Sequence, residues 1–309
     1  MKRKVIQIAD STQLISLPRK WCLQNSIKKG DELEVEVDGT KVTVSCRPDS
    51  KLEHAEISMR DYGSLVARVL HALYKRGVDE IRVTFEKPDD IILIQSKIKN
   101  ETVGYEIVEQ DSKGCVIKNI SSSLLGFDTM LRRTFLLLIN MADECAQSLA
   151  RKDVSLLKNI INLEESNNRF TSLCRRYLNK YGAPDNQKVG PLYRIIEELE
   201  NIADEYKYLI QGLSKTGEDI KVSKVVVQRY EMLAQMLRLF YDAFYKFDAK
   251  KVTQIGEMRK QMIEDWHRDL AIMKGKSEIM LMHHSVVIVQ KIFNQLGPLF
   301  VLQLGNEQK

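Results

Sequence analysis

The feature that most constrains this chain is a change of rhythm at Ser121. Beyond it, strand signals vanish and apolar residues recur with the spacing of a helical face. The spacing predicts six helices, over 124–150, 153–181, 189–214, 222–247, 249–275 and 277–304. Asp153 and Asp248 follow very short links and read as N-caps, while Gly182 and Gly275 read as stops. Short links force neighbouring helices to run antiparallel. The order of long helix, tight turn at Asp, long helix, looser loop and third helix occurs twice. Residues 121–305 therefore read as two three-helix units, about 121–215 and 219–305.

Ahead of Ser121 the pattern is mixed. Residues 55–120 read as a small α/β domain. Its parts are a helix over 61–76 stopped by Gly77, a strand in GVDEIRVTF, a short helix over 89–99 and a hairpin around 111–114. Residues 1–50 read as a separate β-rich domain. Lys4–Ala9 and Leu14–Leu17 flank a polar turn at 10–13, Pro18 opens a short helix, and Asn25-Ser26 ends it. In LEVEVDGTKVTVS, Leu33, Val35 and Val37 alternate with acids, and Val42 and Val44 alternate after Asp38-Gly39, the expected two-residue hairpin turn. The whole is an α+β multidomain chain ending in an all-α part.

Bulk properties exclude several classes. The five cysteines are odd in number, widely spaced and without a CxxC pair, which argues against a zinc site or disulfide framework and for a reducing cytoplasm. Polar residues arrive too early for a signal peptide. The apolar stretch 277–304 is broken by His283, His284, Gln290, Lys291, Asn294 and Gln295, so no membrane insertion is expected. No Walker loop, HExxH or GxSxG occurs. Adjacent His283 and His284 point about 100° apart on a helix and do not share a site. No nucleophile–base pair emerges, and the chain reads as a non-enzyme. A net charge of +5 is mild, so a polyanion site must come from local clustering.

Such clustering occurs at the N-terminus, in Arg3-Lys4, Arg19-Lys20 and Lys28-Lys29. A unit of about 50 residues buries little apolar surface alone and has no staple here, so pairing with a second copy is expected. A two-fold array of cations suits duplex DNA. The stretch from KRKVIQIAD through LPRKW and KKGDELEV to VDGTKVTVS resembles the AbrB/SpoVT family of swapped-hairpin domains. That resemblance implies a dimeric β-barrel interleaved from two chains. It also makes Arg3, Lys4, Arg19 and Lys20 phosphate contacts on double-stranded DNA, with Lys28 and Lys29 next.

The helix over 189–214 places Glu197, Glu200 and Asp204 beside its apolar stripe, and a carboxylate row can hold a hard cation or form a solvated face. The two three-helix units resemble the PhoU family of phosphate-uptake regulators. LEESNNRF places Glu164 and Asn168, and ELENIADEY places Glu200 and Asp204, at that family's carboxylate spacing. In the second unit the position equivalent to Glu164 is Arg259, and Gln290 and Asn294 stand where acids would be. The resemblance implies one degenerate site for a divalent or ferric ion at Glu164, Asn168, Glu200 and Asp204, and none in the second unit. The three parts in this order resemble archaeal phosphate-uptake regulators, implying a cytoplasmic DNA-binding transcriptional regulator linked to phosphate homeostasis. Two alternatives stay open: an adaptor that docks on a phosphate transporter ATPase or sensor kinase without binding DNA, and a metal-binding sensor.

Overall fold

A computed structural model describes residues 2–8, 12–38, 41–46, 52–121, 126–153, 157–183, 185–216, 222–273 and 275–304. The chain forms two compact units, Met1–Leu52 and Glu53–Lys309.

In the first unit, β1 (Val5–Ile8) pairs antiparallel with β2 (Thr12–Ile15). Thr12 and Gln13 are therefore strand, and the rest of the expected turn at 10–13 lies outside the described residues. Pro18 caps α1 (Arg19–Gln24) with φ −65, one position earlier than expected. Asn25 ends it, and Ser26 turns the chain at φ 58. β3 (Leu33–Asp38) pairs antiparallel with β4 (Lys41–Cys46). The register opposes Asp38 to Lys41, so the linking residues are 39 and 40, one step later than Asp38-Gly39. Those two lie outside the described residues. The two hairpins are separate two-stranded sheets, and no closed barrel occurs among the described residues. Two ribbons within one chain are too few strands to close on themselves.

The second unit opens with a four-stranded sheet in the order β5 (His54–Ser58), β6 (Glu80–Thr84), β8 (Gly114–Asn119), β7 (Tyr105–Gln110). β5 runs parallel to β6, and the other pairs are antiparallel. The β5 strand has no counterpart in the sequence reading, because an edge strand of HAEIS offers only Ala55 and Ile57 as an alternating signal. The short helix α2 (Met59–Tyr62) and α3 (Val66–Arg76) cross from β5 to β6, and α4 (Asp90–Glu101) leads on to β7. Gly77 ends α3 at φ +110, where a Cβ would also lie 3.2 Å from Cβ of Lys180. Only glycine meets both demands without strain.

The helices follow: α5 (Phe127–Arg151), α6 (Lys158–Tyr181), α7 (Val189–Thr216), α8 (Lys224–Tyr245), α9 (Ala249–Glu264), α10 (Trp266–Ala271), α11 (Lys276–Asn294) and α12 (Leu296–Gln303). α5, α6 and α7 pack mutually, as do α8, α9 and α11. α5 also packs on α8, and α7 on α11 and α12. That double duty explains why the buried faces of α5 and α7 are broad, running from Met130 to Leu149 and from Ile195 to Leu213. The α/β layer joins the same core, with α3 and α4 lying on α6.

Boundaries differ where capping chemistry decides them. Asp248 accepts a hydrogen bond from the Lys250 N–H at 2.9 Å and caps α9. α6 starts at Lys158 with Leu157 as its N-cap. Lys152 ends α5 at φ 57 and the Asp153 N–H bonds back to the Ser148 carbonyl, while residues 154–156, next to the expected cap at Asp153, lie outside the described residues. Gly182 is the C-cap of α6, whereas Gly275 precedes α11 as its N-cap. The helix expected over 249–275 breaks at Asp265, and that over 277–304 breaks at Gln295. Among the described residues, Lys276–Gln303 is long and apolar enough to cross a membrane by length and composition. Here its Leu281, Met282, Ile288, Val289 and Ile292 are buried in the helical core.

Candidate functional site

Three helical stripes converge on an open cleft of about 870 Å³ in the second unit. α3 contributes Arg68, His71 and Lys75, spaced i, i+3, i+7. α6 contributes Asn168 and Arg175, and α7 contributes Glu197, Glu200, Asp204 and Lys207. These intervals keep each set on one helix face. The cleft lies where the α/β layer meets the first three-helix unit.

A buried arginine sets how α3 sits on α6. Arg176 donates to the carbonyls of Tyr74 (3.0 Å) and Val78 (2.7 Å) and to Asp79 Oδ1 (2.8 Å). Its guanidinium also lies over the rings of Tyr74 and Tyr105, at 5.1 and 5.6 Å from their centroids. Lys180 pairs with the same Asp79 oxygen, and Asp79 Oδ2 accepts from the Glu53 N–H at 3.2 Å. Arg176 is 2% exposed, so each of these contacts compensates a desolvated charge.

The carboxylate row is filled by side-chain cations. Lys207 Nζ lies 2.5 Å from Glu164 Oε1 on α6 and 2.6 Å from Asp204 Oδ1 on its own helix. Asn168 Nδ2 donates to the same Glu164 oxygen at 2.5 Å. Glu200 forms an ion pair with Arg175, accepts from Thr171 Oγ1 at 2.7 Å and has Lys75 Nζ at 4.0 Å. His71 places Nδ1 2.5 Å from Glu101 Oε2, with Nε2 3.2 Å from the Lys97 carbonyl.

Burial, reinforced by Arg175, pushes Lys75 down to about 8. Burial would also depress Lys207, but its hydrogen bonds to Asp204 and Glu164 outweigh that and hold its proton more tightly than usual. Burial raises Glu101, yet the hydrogen bond and charge of His71 leave it below the ordinary carboxylate value.

Glu164, Asn168, Glu200 and Asp204, expected as a metal site, are thus brought together, but around ammonium and guanidinium groups. As arranged, the residues do not fit a metal ion, because their oxygens already face fixed positive charge. Among the described residues, no group of three or more His, Cys, Asp or Glu side chains is placed to hold one. In the second three-helix unit, Arg259 reaches Gln290 Oε1 with Nε at 3.4 Å and Nη2 at 3.2 Å, and its guanidinium lies 5.0 Å from the centroid of Phe293.

Sequence reasoning missed Lys75, Arg175, Arg176 and Lys207. A signal existed for three of them. Lys207 continues the face of Glu200 and Asp204, and Arg175-Arg176 interrupt an apolar run, SLCRRYL, where a charge needs a buried partner. Lys75 became relevant only once α3 was placed.

In the first unit, Arg3, Lys4, Arg19, Lys20, Lys28 and Lys29 are all exposed. The Lys28 N–H donates to Asp31 Oδ2 at 2.7 Å, closing the turn before β3.

The second unit thus defines a class of architecture, a small mixed sheet fastened by a buried arginine to paired three-helix bundles. One solved structure that matches is the phosphate transport system regulatory protein PhoU from Streptococcus pneumoniae, at 18% identity over 58% of this chain and 95% of that one, with a TM-score of 0.49. An overlap this loose carries no argument here. No protein-family model and no curated protein matches the chain.

Proposed function

We propose that this protein is a DNA-binding regulator linked to phosphate uptake, built as a homodimer through Met1–Leu52 and acting by binding, with no catalytic step. One observation carries the reading. No described side chain of that unit is buried, although its strands alternate apolar residues. Val5, Ile6, Ile8, Leu14, Ile15, Val35, Val37 and Val42 are 44–72% exposed. A hydrophobic pattern without a core calls for a covering surface, and a second copy of the same unit supplies one with matching edges and alternation. Pairing also brings two sets of Arg3, Lys4, Arg19, Lys20, Lys28 and Lys29 together, which favours a polyanion with regularly spaced phosphates. The phosphate link rests on the resemblance of the helical part, with its Glu200/Asp204 spacing, to phosphate-uptake regulators. In this reading Glu53–Lys309 receives the signal or docks on a partner, and its buried Arg176 anchor makes the α/β layer and first bundle respond together.

The test is fluorescence anisotropy with a mixed-sequence duplex over a range of salt. Binding is expected to weaken with a log–log slope of about −0.9 per phosphate neutralised. Reversing Arg3, Lys4, Arg19 and Lys20 to Glu is expected to abolish it. Binding indifferent to salt and to those reversals contradicts the proposal. A dimer that retains no duplex even at low salt favours the adaptor reading. Genome-wide occupancy with and without phosphate checks the physiological link.

A further inference from the structure

We infer that the carboxylate row of the first three-helix unit is a cation site filled by the chain itself, with Lys207 and Arg175 standing where a metal ion would otherwise be held. The inference goes beyond the proposed function and stands whether or not the chain binds DNA.

The argument begins with chemistry. Glu164, Glu200 and Asp204 on two adjacent helices supply hard oxygen donors of the kind a divalent or trivalent cation takes. Glu164 and Asp204, which face one another across a single ammonium, repel unless counter-charge is present. Here it is present as fixed side chains. Lys207 bridges Glu164 on α6 to Asp204 on α7, at 2.5 and 2.6 Å. Arg175 pairs with Glu200, which also has Lys75 at 4.0 Å. Glu164 is only 2% exposed, so its charge depends on those partners and not on water. A metal ion entering between Glu164 and Asp204 would have to displace a tightly held ammonium into a cleft that already contains Arg175 and Lys75.

In the second three-helix unit a side-chain cation meets a neutral amide rather than an acid row. Arg259 on α9 reaches across to Gln290 on α11, at 3.2 Å for Nη2. A protein-borne cation therefore ties the second helix to the third in both units. It comes from the third helix in one and from the second helix in the other. Because Lys75 comes from α3, the first clamp also ties the α/β layer to the row.

The test is Mn2+ binding to the full chain by equilibrium dialysis and electron paramagnetic resonance, with circular dichroism to check folding. Wild type is expected to take up no more Mn2+ than the Glu164→Gln/Asp204→Asn chain. Lys207→Met is expected to gain Mn2+ uptake, and adding Asp204→Asn is expected to remove it. Lys207→Gln serves as the second variant if Lys207→Met fails to fold, since it keeps a polar group of intermediate length without the charge. Wild-type uptake that falls in Glu200→Gln or Asp204→Asn overturns the inference. So does a folded Lys207 variant that gains none, because the ammonium would then not be what excludes the ion.

Discussion

The two compact units of this chain have opposite relations to their own hydrophobic pattern. In Glu53–Lys309 the apolar stripes read from the sequence find each other within one chain, and residues such as Ile81, Phe240 and Leu299 are fully buried. In Met1–Leu52 the strands alternate just as clearly, yet Val35 and Val37 stand 58% and 72% exposed. A binary pattern states which face must be covered; it does not state by what. With some 250 residues a chain supplies its own cover, whereas about 50 residues supply too little interior.

The largest expected effects sharpen the contrast from the side with the core. Phe240→Ala should destabilise the second unit by about 3–5 kcal/mol, read as a shift of the urea midpoint. Phe240 is fully buried, with its ring 6.0 Å from that of Phe135. Arg176→Met should cost about 3 kcal/mol by leaving Asp79 with one partner fewer in a buried site. Hydrogen exchange should then quicken in α3 and β6 before it quickens in α8. Uniform loss across the unit would mean that the α/β layer is not held through this anchor.

A different outcome is expected on the other side. Val35→Asp with Val37→Asp should dissociate the proposed dimer while leaving the main unfolding transition within about 0.5 kcal/mol, as for an exposed site. An unfolding midpoint as strongly shifted as that of Phe240→Ala would erase the contrast. Removing the α9 cap by Asp248→Ala should cost about 1 kcal/mol, measured by thermal unfolding.

The smallest effect is a pH dependence at Lys75. Its folded value of about 8 lies below the ordinary 10.5, so the unfolded chain holds this proton more tightly. Lys75 should therefore add stability as pH rises from about 8 towards 10. Burial, with the charge of Arg175 beside it, sets the depression, and the nearby carboxylates of Glu101, Glu197 and Asp204 oppose it. Subtracting the Lys75→Met profile from wild type should reveal that rise, and a flat difference would place Lys75 in open water.

The six helical stripes were legible because each carries many buried positions at regular spacing. Helix ends were less so. Asp248 caps α9 as its position suggests, whereas α6 begins at Lys158, well past Asp153. β5 was hidden because its partner β6 lies beyond a whole helix and its own run is too short to show a period. In the cleft, the acids were legible and their counter-charges were not. Lys207 was within reach of the same face analysis, but Lys75 needed the placement of α3 on α6. The turn between β3 and β4 slipped by one residue because Asp38 and Gly39 both tolerate turn conformations, and the observed register opposes Asp38 to Lys41.

The central claim, that the first unit is completed by a second copy, is tested most directly by sedimentation equilibrium of the full chain at micromolar concentration. The account predicts twice the chain mass for wild type and a single chain mass for the Val35→Asp/Val37→Asp variant. A wild-type protein that sediments as one chain across that range would contradict it.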